Sequence, residues 1–509
     1  MPNPPGPEEI RRCQEVLEAI VADRALLAGV PEESRIALLK AAGRACHPTR
    51  REVIRLSKEL RARERHEAAA VDRKTRSATV IRKARLAAVF TPPQLTGSHA
   101  AHGPELARPR YCYVCKGEYR RVHFFYDSMC PACGDFNYQK RRQTASLAGR
   151  TAVITGARIK IGYQAALMLL RAGTQVVVTT RFPHDAALRY SREPDFASWS
   201  ERLKIHGLDL RHSPSVDIFC RFLDSTLDRL DFLINNAAQT VRRPPAFYAH
   251  LLERESSADG LAPEALALLA SHHALKAALA TAITRDPKDE RVDATGLALW
   301  HAGAPGVGLR ASAQLSQIKY VYDQADLAAD AFPAGRMDAD LQQIDLRAKN
   351  SWRLTLAEVP TAEMLELQLI NSVAPFILCS KLKGLMLRAR SRDKHIVNVS
   401  AMEGSFSRGT KTDKHPHTNM AKAALNMLTL TSASDYVKDG IHMNAVDTGW
   451  VTDEDPAHHA ARKQEEHDFQ PPLDIVDGAA RVCDPIFSGF LSGAHVWGKF
   501  LKDYSPTAW

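Results

Sequence analysis

The chain has 509 residues, with 45% hydrophobic and 25% charged side chains and a formal net charge of +10. That length is too great for one hydrophobic core, so two or three domains are expected, and the composition is ordinary for a globular protein, which excludes fibrous and disordered classes. No apolar run approaches the roughly 20 residues of a membrane helix, and the opening "MPNPPGPEEIRRCQEV" has no apolar signal core, so a cytoplasmic protein without membrane contact is expected.

Residues 1–90 read as a helical N-terminal region. "EEIRRCQEVLEAIVADRALL" places Ile10, Cys13, Leu17, Ile20 and Val21 on one face, and Pro31 opens the next helix at a position that tolerates it. From Arg50 to about Ala88 the pattern is long, charged and poor in Gly and Pro, which predicts a long helix or helix pair. Residues 1–150 hold 28 Lys and Arg against 16 Asp and Glu, a local excess of +12, so the remainder sums to −2. Such a basic region suits a protein or nucleic-acid partner, and equally a solvated helical surface, because Glu is interspersed. Residues 91–110 read as a linker from their Pro, Gly and Ser content.

Residues 111–138 contain "CYVCKGEYRRVHFFYDSMCPACG", two Cys-x2-Cys knuckles fourteen residues apart. Cys112, Cys115, Cys130 and Cys133 supply the four soft ligands of a closed, structural zinc site. A redox dithiol is the competing reading, and it needs only one knuckle. The basic and aromatic residues between the knuckles occur in nucleic-acid-binding ribbons, and more often they pack the core of a small metal module.

From Leu147 the texture becomes strand–helix–strand. "GRTAVITGA", "TQVVVTTR", "RLDFLINNAA", "HIVNVSA" and "GIHMNAVDTGWV" are short buried strands, which predicts a doubly wound α/β parallel sheet over residues 148–509. The rhythm breaks over about 240–345, where Ala-rich helical runs and "HAGAPGVGLRAS" read as an insertion at the functional edge of the sheet. "TGARIKIG" joins the first strand to its helix, so Thr155, Gly156 and Gly162 stand where backbone N–H groups can approach a pyrophosphate.

With these motifs in place, residues 148–509 resemble the short-chain dehydrogenase/reductase family, a Rossmann-type fold. "TGARIKIG" is similar to its glycine fingerprint, with Lys160 in place of the middle glycine. "LDLR" resembles the segment whose acid touches adenine, which implicates Asp209. "NNAA" at 235–238 places Asn236 by the cofactor. "NSVAPF" supplies Asn371 of the catalytic network, "AKAALNML" supplies Lys422, and "AVDTGWV" resembles the loop over the nicotinamide, with Gly449. The resemblance implies a homo-oligomer and a small-molecule substrate, which the sequence does not name. Arg158 in the glycine loop and Arg181 at the end of the second strand, with no acid there, point to NADP(H) over NAD(H).

The departures fall on the chemistry. The family's catalytic tyrosine is Thr418, and its serine, anchored on Gly404, is Ala401, with Ser400 in the neighbouring structural place. A threonine hydroxyl is a poor acid or base near neutral pH, whereas a tuned phenol or an imidazole is not. His415 and His417 flank Thr418, and Ser405 stands thirteen residues before it, as candidate substitutes. Two readings stay open: an NADP(H)-dependent oxidoreductase with a rearranged site, or a non-catalytic NADP(H)-binding protein acting through its helical and zinc modules.

Overall fold

The computed structural model describes residues 5–93, 103–258, 260–283, 306–318 and 331–509. Two compact units divide the chain, Met1–Asp72 and Arg73–Trp509. In the first, helices run over Pro7–Ala22 and Glu32–Cys46, and Arg50–Ser77 begins there. Glu8 and Glu9 in the first turn of Pro7–Ala22 and Arg44 in the last turn of Glu32–Cys46 suit the helix dipole. Their apolar residues stay largely in solvent: Ile10, Val16, Val21 and Leu39 are exposed, and Leu27 is buried. Most of the local positive excess lies beyond the first unit. Residues 1–72 hold 13 basic and 12 acidic side chains, and residues 73–150 hold 15 against 4.

The second unit begins its strands inside the stretch read as linker. β1 (Glu105–Tyr111) and β2 (Glu118–Arg121) form an antiparallel ribbon, followed by a helix over Pro131–Arg141. The main sheet contains β3 (Thr151–Thr155), β4 (Gln175–Thr180), β5 (Leu203–Gly207), β6 (Phe232–Asn235), β7 (Lys394–Ser400), β8 (Ile441–Asp447), β9 (Phe500–Lys502) and β10 (Ser505–Thr507). Their order is β10-β9-β8-β7-β6-β3-β4-β5, parallel except for β10.

Side chains alternate across each strand, so β3 and β4 send Ile154, Val176 and Val178 to one layer and Val153 and Val177 to the other. The first layer packs helices Lys160–Arg171 and Ile475–Ser492. The second packs Ser213–Thr226, Ala374–Arg388 and Pro416–Tyr436. Burial on both faces explains why these strands read as continuous apolar runs. Chain direction reverses its walk across the sheet between β3 and β6, the switch point where a crevice opens beyond the carboxyl ends of the strands.

Within the expected insertion, helices span Pro245–Ser256, Pro263–Ala267, Ala270–Ile283 and Val307–Arg310. The carbonyl of Leu268 accepts from Ile205 N–H at 2.9 Å, which covers the free edge of β5. Part of the glycine-rich loop read at 301–312 lies outside the described residues; its later half forms the Val307–Arg310 turn.

One expectation needs correcting. The continuous helical stretch Thr361–Arg388 is long and apolar enough to cross a membrane by length and composition. Half of its most apolar window is buried inside the protein, with Leu378, Leu382, Leu385 and Met386 fully enclosed against the sheet. A mostly buried core helix of a soluble fold can reach the apolar content of a membrane span.

The cysteine ribbon is built into the sheet unit. Phe125, Tyr126 and Met129 share a core with Ile81, Val451 and Leu473, so the aromatics between the knuckles serve packing. Buried polar contacts fix the junction: Arg141 Nη1 donates to Asp474 at 2.5 Å and Asp477 at 3.1 Å, Tyr126 Oη to Asp477 at 2.5 Å, and Arg481 Nη2 to Asn137 Oδ1 at 2.7 Å.

Candidate functional site

A cleft of about 1550 Å³ lies over the carboxyl ends of β3, β4, β6, β7 and β8. At one end stands the strand-to-helix turn. Gly156 has φ +68°, and a Cβ there would lie 2.7 Å from the Ala237 Cα. A Cβ on Gly162 would strike the Asn236 side chain and lie 2.5 Å from the Gly156 carbonyl oxygen. Asn236 Nδ2 donates to the carbonyls of Thr155 and Gly156, both at 3.0 Å, while Thr155 Oγ1 accepts from the N–H groups of Asn236 and Ala237. The glycines let the chain of β6 pack on the turn, and the turn then opens helix Lys160–Arg171 toward the cleft. Lys160 takes φ +55°, a conformation that suits the expected glycine, and its ammonium lies 3.6 Å from Asp340.

The arginines differ in their freedom. Arg158 is buried and donates to Asp185 at 2.6 Å. Burial lowers its pKa, and Asp185 opposes that shift. Arg181 bonds the Tyr248 hydroxyl at 2.7 Å, stacks 4.6 Å from that ring, and has no carboxylate partner among the described residues. The carboxylate of Asp209 is taken up by Arg211, which meets it through Nε and Nη2 and its backbone N–H. Burial would raise that carboxyl, and Arg211 reverses the shift.

At the other end, helix Thr361–Arg388 makes one π turn at Leu369–Val373, which carries Asn371. Asn371 Oδ1 accepts from Gln239 N–H at 2.8 Å and its Nδ2 donates to the Gln239 carbonyl at 2.9 Å. Lys422 donates to the Val399 carbonyl at 2.8 Å, and burial lowers its ammonium to about 8. Ser400 Oγ donates to Asn426 Oδ1 at 2.5 Å. The turn at 402–404 lies directly on helix Pro416–Tyr436, because a Cβ on Gly404 would sit 2.5 Å from the Lys422 carbonyl carbon. That packing places Ala401 on the cleft wall.

Thr418 is buried, with no partner for its hydroxyl among the described residues, and lies outside the cleft lining. His417 is also outside it, with Nε2 3.5 Å from Glu363. Ser405 is buried and shares a hydrogen bond with Ser407. His415 does line the cleft. It holds φ +41°, stacks on Trp352 at 3.9 Å and 7°, and burial lowers its pKa. Asn419 lines the cleft beside it.

The four cysteine Sγ atoms lie within 4.8 Å of one another, with Cys115 and Cys130 at 3.8 Å. A tetrahedron of 2.3 Å zinc–sulfur bonds has edges of about 3.8 Å, so the thiols fit one such ion. Tyr113 and Lys116 of the first knuckle line the cleft. Sequence reasoning missed Tyr113, Trp352 and Asn419; nothing local marks them, because their partners come from distant segments.

Two family profiles match the chain that builds the sheet: short chain dehydrogenase over residues 150–253 and Enoyl-(Acyl carrier protein) reductase over residues 331–471. The chain contains a short-chain dehydrogenase/reductase segment. The two matches leave residues 254–330 between them. An uncharacterized protein of Acanthamoeba polyphaga mimivirus is 29% identical over 77% of this chain and 74% of its own length. Dehydrogenase/reductase SDR family member 13 of Bos taurus is 41% identical over 19% of this chain, and retinol dehydrogenase 13 of Mus musculus 31% over 18%. The chain spans only 25% and 28% of the length of these two enzymes. Among solved structures, the Pseudomonas aeruginosa RhlG/NADP active-site complex aligns at 17% identity and TM-score 0.42, over 70% of this chain and 95% of that one. NADPH-bound carbonyl reductase from chicken fatty liver aligns at 17% and 0.40, over 71% and 100%.

Proposed function

We propose that this protein binds NADP(H) in the cleft and acts as an oxidoreductase on a small carbonyl or alcohol, with proton transfer moved from the usual tyrosine position to His415. The observation that carries this reading is the cleft itself, which has the glycine turn and Arg181 at one end and Lys422 and His415 at the other, with buried Asn371 holding the Gln239 backbone of its wall. When bound, the dinucleotide supplies or accepts hydride. Arg181 pairs with the 2′-phosphate, and the Gly156–Gly162 turn receives the pyrophosphate at a helix N-terminus. Lys422 holds the ribose hydroxyls. Asn371 fixes the Gln239 backbone beside the reacting carbonyl. The imidazole of His415 reaches the cleft where the Thr418 hydroxyl does not, and imidazole is a general acid–base group.

Cys112, Cys115, Cys130 and Cys133 hold a structural zinc with no open coordination position, in a cytosolic setting where thiols stay reduced. Metal analysis of the purified protein is expected to give one zinc per chain, and none after Cys130→Ser.

The decisive experiment measures NADPH and NADH binding and then turnover on a panel of carbonyls. NADPH binding with turnover that His415→Ala lowers by about 10²-fold or more supports the reading. One observation favours the alternative of a non-catalytic NADP(H) sensor working on a protein or nucleic-acid partner. Ala401 and Thr418 together remove both hydroxyls that would face the substrate. Binding without turnover on any substrate selects that alternative.

A further inference from the structure

Tyr113 directly follows Cys112, and its side chain leaves the cysteine ribbon for the cleft wall. Its hydroxyl accepts the Trp450 N–H at 2.9 Å, and a Cβ on Gly449 would lie 3.1 Å from that oxygen. The 447–451 loop is therefore held from one side by Tyr113. From the other side Leu473 presses on it, because the same Cβ on Gly449 would lie 2.5 Å from the Leu473 Cδ1. Gly449 has φ +75°, which lets the loop thread between them. Tyr113 is in turn anchored to the second knuckle, since its N–H donates to the Ser128 carbonyl at 2.8 Å, two residues before Cys130. A path of direct contacts thus runs from both metal-binding knuckles through one phenol to the loop that borders the cleft.

We infer that Tyr113 is a positioning residue for the dinucleotide, and that metal occupancy of the four cysteines and dinucleotide affinity are coupled through it. The inference rests on the dinucleotide reading above. Without metal, four thiols converge on one point with nothing to join them, the knuckles lose their fixed geometry, and Tyr113 loses its register against Trp450. The loop then samples positions that do not fit the nicotinamide end, and binding must first restore it. Coupling between two sites is reciprocal, so a bound dinucleotide must also hold the metal more tightly.

The test uses the full chain, wild type and Tyr113→Phe, with NADPH titrations before and after zinc removal by a chelator and again after zinc is restored. Tyr113→Phe deletes one hydrogen-bond acceptor and no packing. It is expected to keep its zinc and its melting temperature while losing roughly three- to tenfold in NADPH affinity. Zinc removal should weaken wild-type binding by at least as much, reversibly, and should cost the Tyr113→Phe protein less, because part of the coupling is already gone. A second measurement needs only the wild-type protein: saturating NADPH should slow zinc transfer to the chelator several-fold. Equal zinc effects in both proteins, an unchanged affinity in Tyr113→Phe, or a transfer rate indifferent to NADPH overturns the coupling and leaves the dinucleotide reading standing. A wild-type protein that binds no dinucleotide with zinc present overturns both.

Discussion

The guanidinium of Arg181 stacks on Tyr248 and bonds its hydroxyl, while Arg158, two residues beyond Gly156, is already committed to Asp185. Only the first can meet a 2′-phosphate without breaking a buried ion pair. Arg181→Ala should weaken NADPH binding by about tenfold or more and leave NADH binding nearly unchanged, measured by titration of both; a charge-assisted hydrogen bond of about 1.5–3 kcal/mol sets that scale. Lys422 gives a pH signature. Burial brings its ammonium to about 8, so below that pH the lysine is charged and holds the ribose most strongly. Carbonyl reduction should therefore decline as pH rises through about 8, and in Lys422→Met the residual rate should lose that inflection. Thr418→Tyr combined with Ala401→Ser restores both family hydroxyls by name. Since Thr418 lies outside the cleft lining, the double variant should gain little turnover, and assay of it beside the wild type on one carbonyl tests this.

At the scale of elements, the sheet was legible because its central strands are buried on both faces and read as short apolar runs, a pattern that needs no partner to recognise. The glycine turn likewise needs no partner to recognise. Gly156→Ala should cost at least about 1 kcal/mol in strain at φ +68° and abolish measurable dinucleotide binding through the Ala237 clash, read by thermal melting and titration. Asp209 was read from its motif alone, and only the fold shows its carboxylate enclosed by Arg211. The histidines show where local reading stops. His415 and His417 are equivalent in sequence, but the left-handed backbone at His415 turns its ring onto Trp352, while the first helical turn carries His417 inward to Glu363. The cysteine cluster announced its ligands by spacing. Its union with residues 451–477 rests on side chains more than 300 residues away, which no local pattern encodes.

At the scale of the whole molecule, buried histidines set a limit in acid. Burial lowers His206 to about 3 and His272 to about 2, where the two rings lie 5.9 Å apart beside β5. The unfolded chain binds protons at these histidines below about 6.5, and the folded one refuses them. Their contribution to stability is present above about 6.5 and is lost as pH falls toward 3, at up to about 1.4 kcal/mol per pH unit for each ring. The melting temperature should fall steeply between pH 6.5 and 4.5, and His206→Phe should flatten that fall.

The junction between the cysteine ribbon and the sheet also carries a timetable. Phe125, Tyr126 and Arg141 leave the ribosome before β3 exists, while Leu473, Asp474 and Asp477, which enclose them, are made more than 330 residues later. At about 5–20 residues per second that interval is on the order of 15–70 seconds. Throughout it an aromatic face and a buried arginine wait without their partners, held only by whatever the four cysteines have already bound. If the cysteines take up a metal, a nascent chain that captures it early would keep this face folded in on itself. One that does not presents it to chaperones, or to other unfinished copies, until the last helix arrives.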